Sequence, residues 1–154
     1  MKKYIFIIII LLLQACQSKK PNERDPGCLS KKIMFVDING NDIFGSSSIV
    51  SISPDDLHIS WQGSGTTEKM TYENIGGKYV FTLNSPYMIG KKTCLVFFGG
   101  INTDTLQTEM DIDYGSYFKN IIYNRDTLVS YNSCDECCDD KDKILTATVL
   151  FNNK

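Results

Sequence analysis

The stretch Leu106–Tyr114, LQTEMDIDY, decides the fold class of this chain. Its larger or less polar side chains, at 106, 108, 110, 112 and 114, alternate with strongly polar side chains at 107, 109, 111 and 113. A period of two places successive side chains on opposite faces of a β-strand, whereas an α-helix needs a period of 3.6. The stretch is therefore predicted to be a strand with one face on a core and the other in water.

Several other runs also predict strands. Those with alternating patterns are 57–61 (LHISW), 79–83 (YVFTL) and 144–151 (ILTATVLF). The run 94–98, CLVFF, is apolar on both faces, which predicts a central strand. Turn-forming residues separate the runs at 39–40, 53–55, 76–77 and 99–100. The stretch 63–75 has no clear pattern and is interpreted as a long loop with a short strand.

About eight short strands and no βαβ rhythm predict an all-β fold. The expected architecture is an antiparallel β-sandwich, immunoglobulin-like or related, with a partly closed barrel as the alternative. Trp61 is in register with Leu57 and Ile59, so it is expected in the core. We expect residues 28–154 to form this single domain.

The N-terminus has the pattern of a signal peptide. Lys2 and Lys3 precede the apolar run 4–13, which is shorter than the roughly 20 residues of a membrane-spanning helix. The run ends in Leu-Gln-Ala-Cys at 13–16, which resembles the lipobox of bacterial lipoproteins. This resemblance implies a diacylglyceryl group on the Cys16 sulfur and removal of residues 1–15. An uncleaved membrane helix and a plain secretory signal are the alternatives.

Residues 16–27 are interpreted as the lipidated cysteine and a flexible tether, because this segment is polar with two prolines and a glycine. The membrane is thus an expected partner through the lipid. Gln17 follows the cysteine where aspartate marks inner-membrane retention in the lipoprotein family, so the resemblance favours the outer membrane. Whether the domain faces the periplasm or the cell surface stays open.

Charge excludes one class of partner. Loss of Lys2 and Lys3 with the signal peptide leaves 14 basic residues against 18 acidic ones, a formal charge of about −4. A mildly acidic chain has no excess of positive charge for a phosphate backbone, so nucleic acid is not expected as a partner.

The layout of the mature chain resembles small uncharacterised lipoproteins of Bacteroidetes-type bacteria. The resemblance is carried by motifs that describe strands and turns: FVDINGNDIFG at 35–45, SPDDLHI at 53–59, TDTLQTEMDI at 103–112, IIYN at 121–124, and the paired Cys137 and Cys138. It implies the address and the fold but no activity.

With Cys16 assigned to lipid, five cysteines remain as disulfide candidates: Cys28, Cys94, Cys134, Cys137 and Cys138. An odd number in a compartment that permits disulfides predicts two bridges and one free thiol. The pairing is open. Cys28 is a candidate for a bridge to the 134–138 segment, and Cys94 is either a buried free thiol or paired.

Two segments contain residue types that could support other chemistry. Cys134 and Cys137 have CxxC spacing, but their acidic neighbours disfavour a reactive thiolate, and no second ligand pair suggests zinc. The acidic segment Asp135 to Asp142 and the DINGND turn at 37–42 offer oxygen ligands for calcium. In DINGND, however, Asp42 stands where a calcium loop needs glycine. No metal site is assigned, and the lone His58 is expected on the polar side of a strand.

The sequence therefore predicts a non-catalytic, membrane-anchored envelope lipoprotein. Its sandwich would present loops to a protein or glycan partner. A structural or assembly role in the envelope is the alternative, and a calcium-dependent or hydrolytic module is a weaker one. No catalytic residue and no cofactor is predicted, and the oligomeric state is left open.

Overall fold

The structure, a computed structural model, describes residues 29–46, 48, 50, 52–85, 90–112, 116–140 and 142–151. Of residues 112, 116, 134 and 135 it describes the backbone alone. The predicted signal peptide, Cys16, the tether and Cys28 lie outside the described residues. Within the described part of the chain, no helix has the length and apolar character needed to cross a membrane.

Ten strands form two sheets in the described residues. In chain order they are β1 (Ser30–Val36), β2 (Leu57–Trp61), β3 (Glu68–Lys69), β4 (Thr71–Ile75), β5 (Lys78–Asn84), β6 (Gly90–Phe98), β7 (Asn102–Ile112), β8 (Ser116–Tyr123), β9 (Asp126–Ser130) and β10 (Ile144–Thr148). The four-stranded sheet has the order β10-β1-β5-β4, and the six-stranded sheet has the order β3-β2-β6-β7-β8-β9. A short 3₁₀ helix covers Pro54–Asp56, and one α-helix, α1, covers Cys134–Asp139.

The predicted all-β sandwich is confirmed. The alternating runs at 57–61, 79–83 and 106–112 lie in strands, and 94–98 lies in β6, an interior strand of the larger sheet. One pairing departs from the antiparallel expectation, because β1 and β10 run parallel, with Lys32 opposite Ile144 and Val36 opposite Thr148. This pair brings the beginning and the end of the domain into one sheet.

Two predictions about individual segments were wrong. The stretch 63–75 is not mainly a loop, because it contains β3 and β4, which pair with different sheets on either side of Met70. Patterning failed there because β4 is exposed at every residue, so no face is apolar enough to show a period of two. Strand β6 is an interior strand, as predicted, although one of its apolar side chains, Leu95, is 43% exposed. Trp61 is partly buried against the core rather than enclosed in it.

An aromatic cluster joins the two sheets. Phe35 on β1 is fully buried, and its ring centroid lies 5.8 Å from that of Phe81 in its own sheet. It lies 5.3 Å from Phe98 and 5.7 Å from Tyr123, which both belong to the opposite sheet. These separations match the preferred range of edge-to-face and tilted aromatic pairs. The cluster therefore fixes the packing of one sheet on the other.

The helix α1 replaces the loop expected for the acidic cysteine segment. Ser133 begins it as N-cap, with its hydroxyl accepting a hydrogen bond from the backbone N–H of Glu136. The other end of the helix is capped by Lys31 from β1. Its ammonium group donates to the carbonyl oxygens of Cys137 (2.8 Å) and Asp140 (3.2 Å) and lies 4.7 Å from the centre of the Tyr131 ring. Two hydrogen bonds between residues far apart in sequence thus hold the end of α1 against β1.

One buried hydroxyl in the core has no partner. Thr108 on β7 is 1% exposed, and among the described residues its Oγ1 is the buried side-chain polar atom without a hydrogen bond. Such a group loses its contact with water and gains nothing in return.

We predict that Thr108→Val raises the free energy of unfolding by about 1 kcal/mol, because valine has the same shape without the unpaired hydroxyl. The change is measured by denaturant unfolding. Thr103→Val, at an exposed position of the same strand, is the control and should change stability by less than about 0.5 kcal/mol. A destabilised Thr108→Val variant would mean that the hydroxyl has a partner after all.

Candidate functional site

The outward side of the six-stranded sheet, which we call the outer sheet face, is the candidate site. Along β6 the residues Cys94, Val96 and Phe98 are fully buried, so the intervening Leu95 and Phe97 point away from the core. Leu95 is exposed and Phe97 is half-buried. Leu95 and Phe97 are next to each other on this side of the strand and give it an apolar surface that a ligand or partner can contact.

The pairing register shows what surrounds these two residues. Leu95 is flanked by Ser60 on β2 and Thr105 on β7, whereas Phe97 is flanked by His58 and Thr103. One row further along, Thr93 pairs with Gln107, which pairs with Ile122. In the middle of the outer sheet face, uncharged side chains with hydroxyl and amide groups therefore surround the apolar side chains of Leu95 and Phe97.

The described residues form three depressions along this face. The largest, of about 520 Å³, is open and is lined by Asp56, His58, Thr67, Phe97, Gly99 and Gly100. A second, of about 330 Å³, is lined by Thr105, Gln107, Ile122, Asn124 and Arg125. A third, of about 230 Å³, shares Gln107 and Ile122 with the second. Because they share residues or lie one strand apart, they form a shallow path across the strands.

Charged side chains also line the depressions: Asp56 in the first, Arg125 in the second, and Lys91, Lys92 and Glu109 in the third. Glu109 accepts a hydrogen bond of 2.7 Å from the Asn120 amide, and Lys119 forms an ion pair of 3.1 Å with Asp111. The ion pair raises the pKa of Lys119, chiefly through its hydrogen bond to Asp111. Both groups of that pair are exposed enough that their contribution to stability is small.

The turn between β8 and β9 places Arg125 beside the second depression. Asn124 and Arg125 have φ angles of 46° and 80°, in the left-handed region that glycine adopts more easily. Asn124 suits this conformation and its side-chain oxygen accepts a hydrogen bond from the N–H of Thr105. Arginine at the second turn position costs conformational energy. Strain of this kind is concentrated at functional sites.

His58 was expected on the polar side of a strand, and it lies on the outer sheet face next to Phe97. Its Nδ1 is 3.1 Å from the carbonyl oxygen of Asp56, so Nδ1 carries the proton in this arrangement. In the neutral ring Nε2 is then a hydrogen-bond acceptor. A backbone carbonyl group thus fixes the orientation of the His58 ring. Its Nε2 atom is available for a polar contact with a ligand.

The DINGND segment forms the turn after β1. Its two carboxylates accept hydrogen bonds from backbone N–H groups of the turn and of β5. Asp37 Oδ1 accepts hydrogen bonds from the N–H groups of Asn39 (2.8 Å) and Asn41 (2.9 Å). These bonds, with that to the Asn41 N–H as the largest cause, lower the pKa of Asp37. Asp42 Oδ2 accepts from the N–H of Tyr79 at 2.6 Å. Both aspartates therefore stabilise the backbone here.

The acidic segment is equally engaged near its end. Asp140 accepts hydrogen bonds from Lys143 (3.0 Å) and Tyr131 (3.3 Å), and the bond to Lys143 is the main cause of its lowered pKa. In the residues that the structure describes, no three histidine, cysteine, aspartate or glutamate side chains are grouped as metal ligands would be.

The structure corrects the expected cysteine pattern. Cys94 and Cys137 are free and fully buried, so neither is a disulfide partner. Cys138 is disulfide-bonded, and its partner is not among the described side chains. The prediction of two disulfide bridges is therefore wrong. Only Cys28, Cys134 and Cys138 remain as candidates, and three cysteines can form no more than one bridge among themselves. Sequence reasoning missed this because the core position of Cys137 on α1 depends on the helix, which was not predicted.

The outer sheet face was also missed by sequence reasoning. The apolar run at 94–98 hides it, because a strand buried on both faces and a strand with a ligand-binding outer face have the same apolar pattern. The available signal was in the neighbours: Thr103, Thr105 and Gln107 on the polar side of β7 are small or neutral rather than charged.

Comparison of the chain with protein-family models, with curated proteins and with solved structures finds no match in any of the three.

We predict that neither Cys94 nor Cys137 reacts with iodoacetamide in the folded protein at pH 8. Burial raises the pKa of Cys94 to about 12 from 9.0 and also raises that of Cys137, so both remain as thiols out of reach of the reagent. Mass spectrometry should find both labelled after denaturation.

Ser130→Cys, at an exposed site on β9, is the control that should react in the folded state. Rapid native labelling of Cys94 or Cys137 would contradict the buried placement. Peptide mapping without reduction also identifies the partner of Cys138.

Proposed function

We propose that this chain is an envelope lipoprotein, anchored through Cys16, that binds a glycan on the outer sheet face without catalysing a reaction. The observation that supports this most is the composition of that face: neutral hydroxyl and amide side chains surround the solvent-facing Leu95 and Phe97.

Sugars have the complementary chemistry. Their hydroxyl groups both donate and accept hydrogen bonds, as do the side chains of threonine and glutamine. Their C–H faces are apolar and pack on aromatic or aliphatic side chains such as Phe97 and Leu95. An open path over several strands also admits an extended chain, which a closed cavity would exclude.

A protein partner fits this face less well. Protein interfaces concentrate their binding energy in tryptophan, tyrosine and arginine, and threonine is under-represented among these residues. Three threonines, Thr93, Thr103 and Thr105, belong to the outer sheet face, whereas Arg125 lies at its border. The structural or assembly role remains the alternative if no glycan binds.

The position of the largest depression is consistent with attachment by a tether at the N-terminus. Strand β1 begins at Ser30, close after the tether, and β10 runs parallel to it. Leu150, beyond the far end of β10, accepts a hydrogen bond of 3.4 Å from the Asn102 amide at the start of β7. The Gly99–Gly100 turn ends two residues before Asn102 in the chain. The depression at this turn therefore lies at the end of the domain away from the tether.

We expect Phe97→Ala and Gln107→Ala each to lower retention on the bound glycan by about tenfold, the effect of losing about 1.4 kcal/mol of binding energy. Binding is measured by pull-down on peptidoglycan and on a panel of neutral polysaccharides. Thr146→Ala, exposed on the other sheet, is the control and should bind like the unchanged protein. Equal binding by all three variants would contradict the proposed site, and no binding to any polysaccharide would contradict the proposed ligand class.

The anchor is tested separately. Because the lipid is attached through the cysteine sulfur, Cys16→Ser should move the protein from the membrane fraction to the soluble fraction. Fractionation and immunoblotting measure the shift, with Cys94→Ser as the matched cysteine control that stays with the membrane. Membrane partitioning of Cys16→Ser would contradict the lipid attachment.

A further inference from the structure

The free edge of β4 is the most exposed strand surface in the described part of the chain. All five residues of β4 are exposed, and the strand pairs on one side only, with β5. Tyr72 and Ile75 are large hydrophobic side chains that are 37% and 42% exposed. An edge of this kind presents unpaired N–H and C=O groups that are a template for another strand.

The hairpin between β4 and β5 shows which backbone groups are free. Ile75 and Lys78 pair across the two-residue turn Gly76–Gly77, whose φ angles of 59° and 84° are those of a type I′ turn. The closing pair of such a hairpin exchanges hydrogen bonds, and the pattern alternates along the strand. Residues 71, 73 and 75 therefore bond to β5, and Tyr72 and Asn74 direct their N–H and C=O groups outward.

The other sheet edges in the described residues are better protected. Strand β3 is two residues long and carries Glu68 and Lys69, and short charged edges resist pairing. Strands β9 and β10, at the opposite side of the sandwich, contact each other. By contrast, β4 has no bulge in its pairing with β5, no proline and no lysine.

We propose that β4 pairs antiparallel with β4 of a second copy of this chain. A two-fold axis at Glu73 sets Tyr72 of each copy opposite Asn74 of the other, so that the outward groups of both residues exchange hydrogen bonds. Ile75 then lies opposite Thr71 of the other copy, which pairs two β-branched side chains on the outer side of the sheet.

The charge at the two-fold axis is compensated within each copy. Two glutamates at position 73 face each other, and like charges directly opposite destabilise a strand pair. Each Glu73, however, is already 2.6 Å from the ammonium group of Lys32. The four charges form two ion pairs side by side, with no net charge at the junction. The paired copies share one eight-stranded sheet, and the six-stranded sheets with their glycan-binding faces remain free.

Disulfide trapping of the full chain in its membrane tests both the pairing and the register. Glu73→Cys should form a covalent dimer under mild oxidation, because residues opposite each other in a non-hydrogen-bonded pair are close enough for a disulfide. Thr71→Cys alone should not, since its partner is residue 75. Co-expressed, differently tagged Thr71→Cys and Ile75→Cys chains should cross-link to each other. The readout is a non-reducing gel with both tags.

Asn74→Pro is the second variant, made together with Glu73→Cys. Proline removes an N–H that points outward and is not used in the β4–β5 ladder, so the fold persists while pairing is blocked. We expect at least about a tenfold loss of cross-linked product, and circular dichroism checks the fold. Cross-linking of Glu73→Cys no faster than that of Thr71→Cys, or unchanged by Asn74→Pro, would overturn the proposal.

Discussion

The packing of Phe35 against Phe98 and Tyr123 is the contact on which the rest of the molecule depends. Phe35 is in the smaller sheet and its two partners are in the larger one, so these contacts set the separation and orientation of the layers. Tyr123 is itself fixed because its hydroxyl donates a hydrogen bond to the buried carboxylate of Asp104. Burial raises the pKa of Tyr123, so the phenol keeps its proton and remains the donor. The hydrogen bond between Tyr123 and Asp104 thus fixes the orientation of the Tyr123 ring in the aromatic cluster.

With its inner side buried in this way, the six-stranded sheet has only its outer side available for recognition. Strand β6 contributes to both the core and the outer sheet face, because Val96 and Phe98 are buried in the core while Leu95 and Phe97 face solvent. The second sheet has a different role. Its strand β1 holds α1 through Lys31, and its strand β4 has the free edge. The proposed glycan binding and the proposed self-pairing therefore use different surfaces and do not compete for the same residues.

The predictions from sequence succeeded where a strand has one solvent-exposed face and one buried face. Leu106–Ile112 and Leu57–Trp61 are examples, and both are strands as predicted. They failed where that contrast is missing. Strand β4 is solvent-exposed at every residue. The helix α1 is only six residues long, and its formation depends on the Ser133 cap and on Lys31 from a strand distant in sequence. The candidate site was not predicted for a related reason: a row of small polar residues on β7 indicates a binding surface only when the register aligns it beside Phe97.

The sequence by itself determined the all-β class, the strands with a clear period of two, and the turns at the glycine pairs. These are local properties, set by the alternation of side chains and by the conformations that glycine and asparagine tolerate. Only the tertiary structure decided which sheet each strand joins, that β1 and β10 run parallel, and that Cys94 and Cys137 are buried free thiols. These are pairings between residues far apart in the chain, and local patterns do not contain them. The outer sheet face exists for the same reason, because its rows are made of residues from four strands.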